Sequence, residues 1–166
     1  MYLVDSNVLI EAKNRYYAFD IAPGFWAWLD HAYANAIVCS IEPVREELIH
    51  GGDELSDWAR SHHEFFRPMD DPATAHFAPL TQWTYTRNYT AAAVQEFLTY
   101  AADFYLVAYA RAHGHVLVTH EQPRPDSRRR VLIPDACDAM GVTYENTFSM
   151  LRSARAQLGL QFPTAA

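Results

Sequence analysis

The chain has 166 residues, enough for one domain with a substantial core, and its 50% hydrophobic and 20% charged residues are ordinary for a globular protein. No run of about 18 apolar residues occurs, which argues against a membrane-spanning helix, and we expect no signal peptide because a basic region, an apolar run and a cleavage site are missing at the N-terminus. The net charge of −7 argues against a nucleic-acid-binding protein, although acids gathered around a metal ion would account for part of it.

The first third of the chain alternates short apolar runs with helical patterns. Residues 2–4 are too few for a helix and predict a buried strand, followed by a short helix through residues 8–12. Apolar residues recur at helical spacing from 25 to 36 and predict an amphipathic helix that Pro23 and Gly24 begin. Residues 36–39 predict a second strand.

The middle of the chain continues the alternation. A helix is expected over residues 42–49, ended by Gly51 and Gly52. Asp53 is a candidate cap for another short helix. Residues 65–66 are a candidate third strand. Asp71 is a candidate cap for a helix that reaches about residue 86.

The last part is predicted to be helical from 90 to 112, with an interruption before Asp103 and an end at Gly114. Residues 116–118 form the clearest strand pattern. A polar, basic loop over 122–130 precedes a further predicted strand over 131–133, and a final helix is expected over about 146–158.

Cys39 and Cys137 lie within apolar runs, and we expect them to be buried reduced thiols of a cytoplasmic protein. Short apolar strands that alternate with helices, with few hairpin signals, predict an α/β domain with a mainly parallel sheet, spanning residues 1–166. In such folds the functional site lies beyond the carboxyl ends of the strands.

Acidic residues occupy those positions. Asp5 and Glu121 each follow a predicted strand, Asp103 begins a helix, and Glu46 and Glu47 lie in the helix after the second strand. Carboxylates that converge at one edge of a sheet are what a hard divalent cation such as Mg²⁺ requires. Each acid also has a structural alternative, since the aspartates could cap helices and the glutamates could lie on the surface.

Four motifs, in this order, resemble those of PIN domains. They are YLVDSNVLI (2–10), SIEPVREEL (40–48), ADFYLVAYA (102–110) and VLVTHE (116–121). Shorter segments near 15–17, 23–26, 53–58 and 133–137 resemble an uncharacterised prokaryotic branch of the PIN-like superfamily that is related to toxin–antitoxin PIN toxins.

The resemblance implies a three-layer α/β/α sandwich and Mg²⁺- or Mn²⁺-dependent endoribonuclease activity, often in a toxin that a partner antitoxin neutralises. By position, the catalytic residues and metal ligands would be Asp5, Glu47, Asp103 and Glu121. Asn7 and Thr119 would hydrogen-bond the carboxylates or metal-bound waters. Glu121 departs from the aspartate that many members carry. Asp135 is either a further acidic candidate or the cap of its own helix.

Basic and aromatic residues provide candidate contacts to an RNA substrate. Arg15 and Tyr16 could line a substrate groove, and tyrosine can stack on unpaired bases; packing against the next helix is the alternative for the tyrosine. Arg128, Arg129 and Arg130 either bind phosphates or an acidic antitoxin segment, or form a solvated loop. The resemblance also implies a possible homodimer.

Other classes of function fit the residues less well than a nuclease. A phosphatase of the haloacid dehalogenase type needs a second aspartate where Asn7 stands and a downstream lysine, whereas Lys13 is the only lysine. A catalytically silent PIN-like interaction module would be indicated by a missing core acid. No glycine-rich phosphate loop follows the first strand, which disfavours dinucleotide binding, and the histidines show no closed zinc spacing.

Overall fold

The computed structural model describes residues 1–159, in which five parallel strands form one sheet. The strands are β1 (Tyr2–Val4), β2 (Val38–Ile41), β3 (Phe66–Arg67), β4 (Val116–Val118) and β5 (Tyr144–Glu145). Their order is β3-β2-β1-β4-β5, with β1 at the centre. The predicted α/β/α architecture with a parallel sheet is confirmed.

The helices connect the strands and cover the sheet. They are α1 (Ser6–Glu11), α2 (Pro23–Ala34), α3 (Glu42–Ile49), α4 (Glu54–Ser61), α5 (Asp71–Thr74), α6 (Phe77–Thr86), α7 (Ala91–Thr99), α8 (Ala102–His113), α9 (Ile133–Met140) and α10 (Thr147–Ser153). A π-helical segment, Ala12–Tyr16, extends α1. None of the helices within residues 1–159 is long and apolar enough to cross a membrane.

The core lies on both faces of the central strand. Leu3 of β1 pairs with Cys39 of β2 and Leu117 of β4, and all three residues are fully buried. Helix α8 is buried along most of its length, and its buried residues are apolar except for Asp103 and Tyr109. Cys39 and Cys137 are buried free thiols, and burial raises the pKa of Cys39 to about 11.

Several element boundaries differ from the predictions because local hydrogen bonds override the apolar pattern. The helical region over 90–112 agrees with the prediction, because it is interrupted before Asp103: α7, capped by Thr90, ends at Thr99 and α8 begins at Ala102. Ala36 lies between α2 and β2 with a positive φ of 55°. The cap of α5 is Asp70, which accepts the Ala73 N–H, and not Asp71. Residues 75–76 then separate α5 from α6.

The predicted strand over 131–133 is wrong. Ile133 begins α9, and the apolar run is buried where the chain approaches that helix. The edge strand is instead β5, whose two residues include a glutamate and so carry no apolar run. Asn146 caps α10, which ends at Ser153, earlier than predicted.

Asp53 ties the start of α4 to the π-helical segment. Its Oδ1 accepts the Ser56 N–H at 3.1 Å while the Ser56 hydroxyl accepts the Asp53 N–H, so the two form a capping box. Its Oδ2 lies 2.7 Å from the Lys13 ammonium group. The Lys13 hydrogen bond, followed by that of the Ser56 N–H, lowers the pKa of Asp53 to about 2.

We expect Asp53→Ala to lower the free energy of unfolding by about 1 to 2 kcal/mol at pH 7, because a helix cap is lost. Because the pKa of Asp53 is lowered, its carboxylate stabilises the folded state fully only above about pH 4. The difference in unfolding free energy between variant and wild type should therefore vanish as the pH falls towards 2. Urea denaturation at pH 7 and at lower pH measures the loss of stability and its dependence on pH. Asp57→Ala, which removes only an exposed ion pair with Arg60, should have little effect, and an equal loss in the two variants would contradict the assignment.

A carboxylate cluster at the carboxyl edge of the sheet

Asp5 is fixed at the end of the central strand by contacts with β4. Its backbone N–H donates to the Val118 carbonyl at 3.1 Å, and the Thr119 hydroxyl donates to Oδ2 at 3.1 Å. The Ser6 hydroxyl lies 3.3 Å from Oδ1. The side chain is fully buried, so this carboxylate is held in one place without contact with solvent.

Asp103 and Glu47 meet at the N-terminus of α8. Glu47 Oε1 accepts the N–H of Ala102, the first residue of α8, at 2.8 Å. This bond replaces a local cap, because Ala101 has no polar side chain. Asp103 is 7% exposed, and no side chain or backbone group within residues 1–159 donates a hydrogen bond to its carboxylate.

Glu121 binds the first N–H group of α9, as Glu47 does for α8. Its Oε2 accepts the N–H of Ile133, the first residue of α9, at 2.8 Å, where the capping position is the apolar Leu132. Its Oε1 lies 2.6 Å from Arg130 Nη2, an ion pair that lacks hydrogen-bond geometry, so this buried oxygen accepts no hydrogen bond. Thr119 joins Glu121 to Asp5, since its hydroxyl also accepts the Glu121 N–H at 3.2 Å.

The four carboxylates share one electrostatic environment. Burial, followed by the charge of Glu121, raises the pKa of Asp5 to about 6, and the Thr119 hydrogen bond only partly offsets this. The pKa of Asp103 is raised well above its usual range by burial and by Asp5, Glu121 and Glu47, in that order, with Arg130 opposing. The cluster therefore carries more negative charge than its neighbours neutralise.

The donor set fits a hard divalent cation in its chemistry but does not form a closed cage. Within the part of the chain that the structure describes, no three His, Cys, Asp or Glu side chains are grouped tightly enough to hold an ion together. Mg²⁺ usually takes only one or two carboxylates and keeps several waters. The carboxylate of Asp103 and Oε1 of Glu121, which accept no hydrogen bond, are oxygens of the required type.

Within residues 1–159, the side chains of the other predicted acidic and amide residues make no hydrogen bond to these oxygens. The Asn7 side chain makes no hydrogen bond to a carboxylate within residues 1–159, and only its backbone N–H acts on Asp5, by lowering the pKa. Asp135 does not cap α9, because that helix begins two residues earlier. Both of its carboxylate oxygens accept the Arg124 N–H, at 3.1 and 3.3 Å, so Asp135 holds the start of the basic loop.

The basic loop, residues 122–130, lies over the cluster. Of its three consecutive arginines, Arg130 contacts Glu121, while Arg128 is anchored through its carbonyl, which accepts the Thr90 N–H at 2.8 Å. All three side chains are exposed. Arg129, Arg130 and Asp103 line a cavity of about 300 Å³ between the loop and α7.

A group of aromatic side chains includes His120, the residue between Thr119 and Glu121. Tyr16, at the end of the π-helical segment, lies 6.1 Å from His120 and 5.7 Å from Phe148 between ring centroids. Arg15 beside it is exposed. Phe148 was not among the predicted site residues, because only the pairing of β4 with β5 brings the start of α10 to this edge. No local pattern in the sequence indicates that proximity.

The family model described as a domain of unknown function (DUF4411) matches residues 2–158, and no curated protein matches the sequence. VapBC2 from Rickettsia felis, solved bound to a DNA fragment from their promoter, is 14% identical with a TM-score of 0.52 over 87% of this chain and 97% of that one. FitAcB from Neisseria gonorrhoeae is 21% identical with a TM-score of 0.51 over 89% and 99%. FitAB bound to an IR36 DNA fragment is 20% identical with a TM-score of 0.52 over 88% and 94%. The PIN-like resemblance is confirmed at the level of the fold.

We expect Asp5→Asn to raise the free energy of unfolding at pH 8 in EDTA by on the order of 1 to 3 kcal/mol. The raised pKa means that the folded state prefers protonated Asp5, and this preference becomes a full penalty once the pH has risen through about 6. The gain should therefore disappear towards pH 4, as denaturation at the two pH values would show. Exposed Asp20 provides the control variant Asp20→Asn. A destabilised Asp5→Asn at pH 8 would refute the charge-repulsion account.

Proposed function

The chain belongs to the DUF4411 family, and we propose that it is a PIN-type metal-dependent endoribonuclease that acts as the toxin of a toxin–antitoxin pair. The observation that carries the proposal is the cluster of Asp5, Glu47, Asp103 and Glu121, contributed by four separate segments to one edge of the sheet. Buried carboxylates that raise one another's pKa values cost folding free energy, and such arrangements occur at functional sites.

The geometry supports distinct tasks for the four acids. Asp5 and Asp103, the most buried of them, would hold Mg²⁺ or Mn²⁺, with Glu47 and Glu121 contributing directly or through water. When bound, such an ion lowers the pKa of a bound water and neutralises charge that develops on the phosphodiester. The Thr119 hydroxyl keeps Asp5 oriented, and the helix N-termini keep Glu47 and Glu121 in place.

The basic loop would bind the RNA backbone. Arg128, Arg129 and Arg130 are exposed beside the acids, and guanidinium groups bind phosphate oxygens through paired hydrogen bonds. The concentration of arginines in this loop would attract the substrate to the site although the whole chain has a net charge of −7.

The toxin role rests on the structural relatives. VapBC2 and FitAB are complexes of two proteins, and we propose an antitoxin partner for this chain by analogy with them, together with a possible homodimer. The structure does not support the haloacid dehalogenase alternative, because Lys13, which would have to serve as the catalytic lysine, is paired with Asp53. The silent interaction module is the alternative that experiment must separate.

We expect the purified protein to cleave labelled single-stranded RNA in Mg²⁺ or Mn²⁺, to stop in EDTA and to resume when the metal is restored. Asp5→Asn and Asp103→Asn should each slow cleavage by about 100-fold or more while remaining folded, because each removes a charge that the ion requires. Asp20→Asn is the matched control. Failure to cut any of several RNAs, combined with no Mn²⁺ binding by calorimetry, would establish the silent module.

Arg130 provides a test of cation binding that does not depend on turnover. Its guanidinium group now compensates Glu121 and Asp103, so Arg130→Ala should tighten Mn²⁺ binding by about two- to five-fold at low salt, and less at high salt. Arg128→Ala, which removes an exposed charge outside this ion pair, should change the affinity less. Unchanged or weaker Mn²⁺ binding by Arg130→Ala in calorimetry would contradict a cation site at these acids.

A further inference from the structure

Three aromatic rings from three separate segments meet beside the carboxylate cluster. Tyr16 ends the π-helical segment, His120 follows β4 and Phe148 lies in the first turn of α10. Tyr16 and Phe148 meet edge to face, with 79° between their ring planes, and Tyr16 and His120 are tilted by 39°. We call these three residues the aromatic patch.

Two of the three rings in the aromatic patch are exposed and His120 is half-buried, in contrast to most aromatic side chains of the protein. Tyr16 is 47% and Phe148 40% exposed, whereas Phe25, Phe97 and Trp26 are almost completely buried. An edge-to-face pair leaves at least one ring face uncovered by its partner. The His120 ring is held in place by the Thr147 hydroxyl, 3.1 Å from Nε2, so part of this surface is rigid.

The patch adjoins the carboxylate cluster along the chain. His120 stands between Thr119, which hydrogen-bonds Asp5, and Glu121, which belongs to the cluster. On the proposed function, a nucleotide that flanks a phosphodiester at the acids would meet the patch. Arg15, next to Tyr16, has a side chain that is 68% exposed and only a long contact of 3.8 Å with Glu11, so it is available to a backbone phosphate.

We propose that the aromatic patch is a stacking platform for an unpaired base next to the scissile phosphate. This inference rests on the proposed ribonuclease function. Exposed aromatic rings with polar rims suit base stacking, since every base has a π-face. Paired bases in a helix are already stacked on each other and cannot occupy the platform.

Binding of a fluorescein-labelled oligo(rA) of about 12 nucleotides, followed by anisotropy, tests the platform. The Asp103→Asn background removes one repelling charge and, on the proposed function, prevents cutting. In this background Tyr16→Ala and Phe148→Ala should each weaken binding by about 10- to 100-fold. Tyr16→Phe, which keeps the ring, should retain most of the RNA-binding affinity that Tyr16→Ala loses. Ile21→Ala, which shortens an 82% exposed apolar side chain outside the patch, is the matched control.

A second probe reports stacking directly. Oligo(rA) carrying 2-aminopurine at one position should be quenched on binding when that base meets the patch, and Tyr16→Ala should abolish the quenching. Duplex RNA of the same length should bind all variants alike, because its bases are not available to the platform.

The outcomes separate the platform from the proposed function. Metal-dependent cutting by the wild type, with oligo(rA) binding unchanged in Tyr16→Ala and Phe148→Ala, overturns the platform alone. Equal losses for duplex and single-stranded RNA also overturn it. If the wild type neither binds nor cuts RNA, both proposals are overturned. Loss of association with a co-expressed protein partner, at unchanged RNA affinity, assigns the patch to protein docking and overturns the platform.

Discussion

Mutual repulsion among four carboxylates, of which Asp5 and Asp103 are buried, Glu121 is half-buried and Glu47 is exposed, is the constraint on which the rest of this site depends. Parallel strands bring their carboxyl ends to one edge, and Asp5, Glu47, Asp103 and Glu121 are gathered there by β1, α3, α8 and the segment after β4. The surrounding structure limits the repulsion without removing it. Thr119 donates to Asp5, backbone N–H groups donate to the two glutamates, and Arg130 is the one cation whose charge lowers the pKa of Asp103.

The two glutamates link the site to the stability of the fold. Helices α8 and α9 begin after Ala101 and Leu132, which cannot cap them, and their first N–H groups are bound by Glu47 and Glu121 from distant parts of the chain. A helix N-terminus also favours a nearby negative charge. Each glutamate therefore satisfies a helix end and contributes charge to the cluster, whereas the Asp103 carboxylate accepts no hydrogen bond from residues 1–159.

The sequence alone was sufficient to predict the parallel α/β fold, the first two helices after β2 and the acids at the strand ends, because apolar runs, glycines and caps act locally. It was insufficient where distant contacts decide. Residues 131–133 carry a strand-like apolar run, but Glu121 captures the Ile133 N–H and a helix begins there. Asp135 looks like a local cap and instead binds Arg124 across the loop. Phe148 joins Tyr16 only through the β4–β5 pairing, which two residues of mixed polarity do not reveal.

The Arg130–Glu121 ion pair has a thermodynamic consequence for the basic loop. The same carboxylate serves the loop and the acidic cluster, so the conformation of the loop and the charge compensation of the cluster are coupled equilibria. Such coupling is reciprocal. A ligand that draws residues 122–130 away from Glu121 makes the cluster more receptive to positive charge, and any cation that occupies the cluster releases the loop by the same free energy. On the proposed function, the loop would therefore respond to the occupancy of the site through this ion pair.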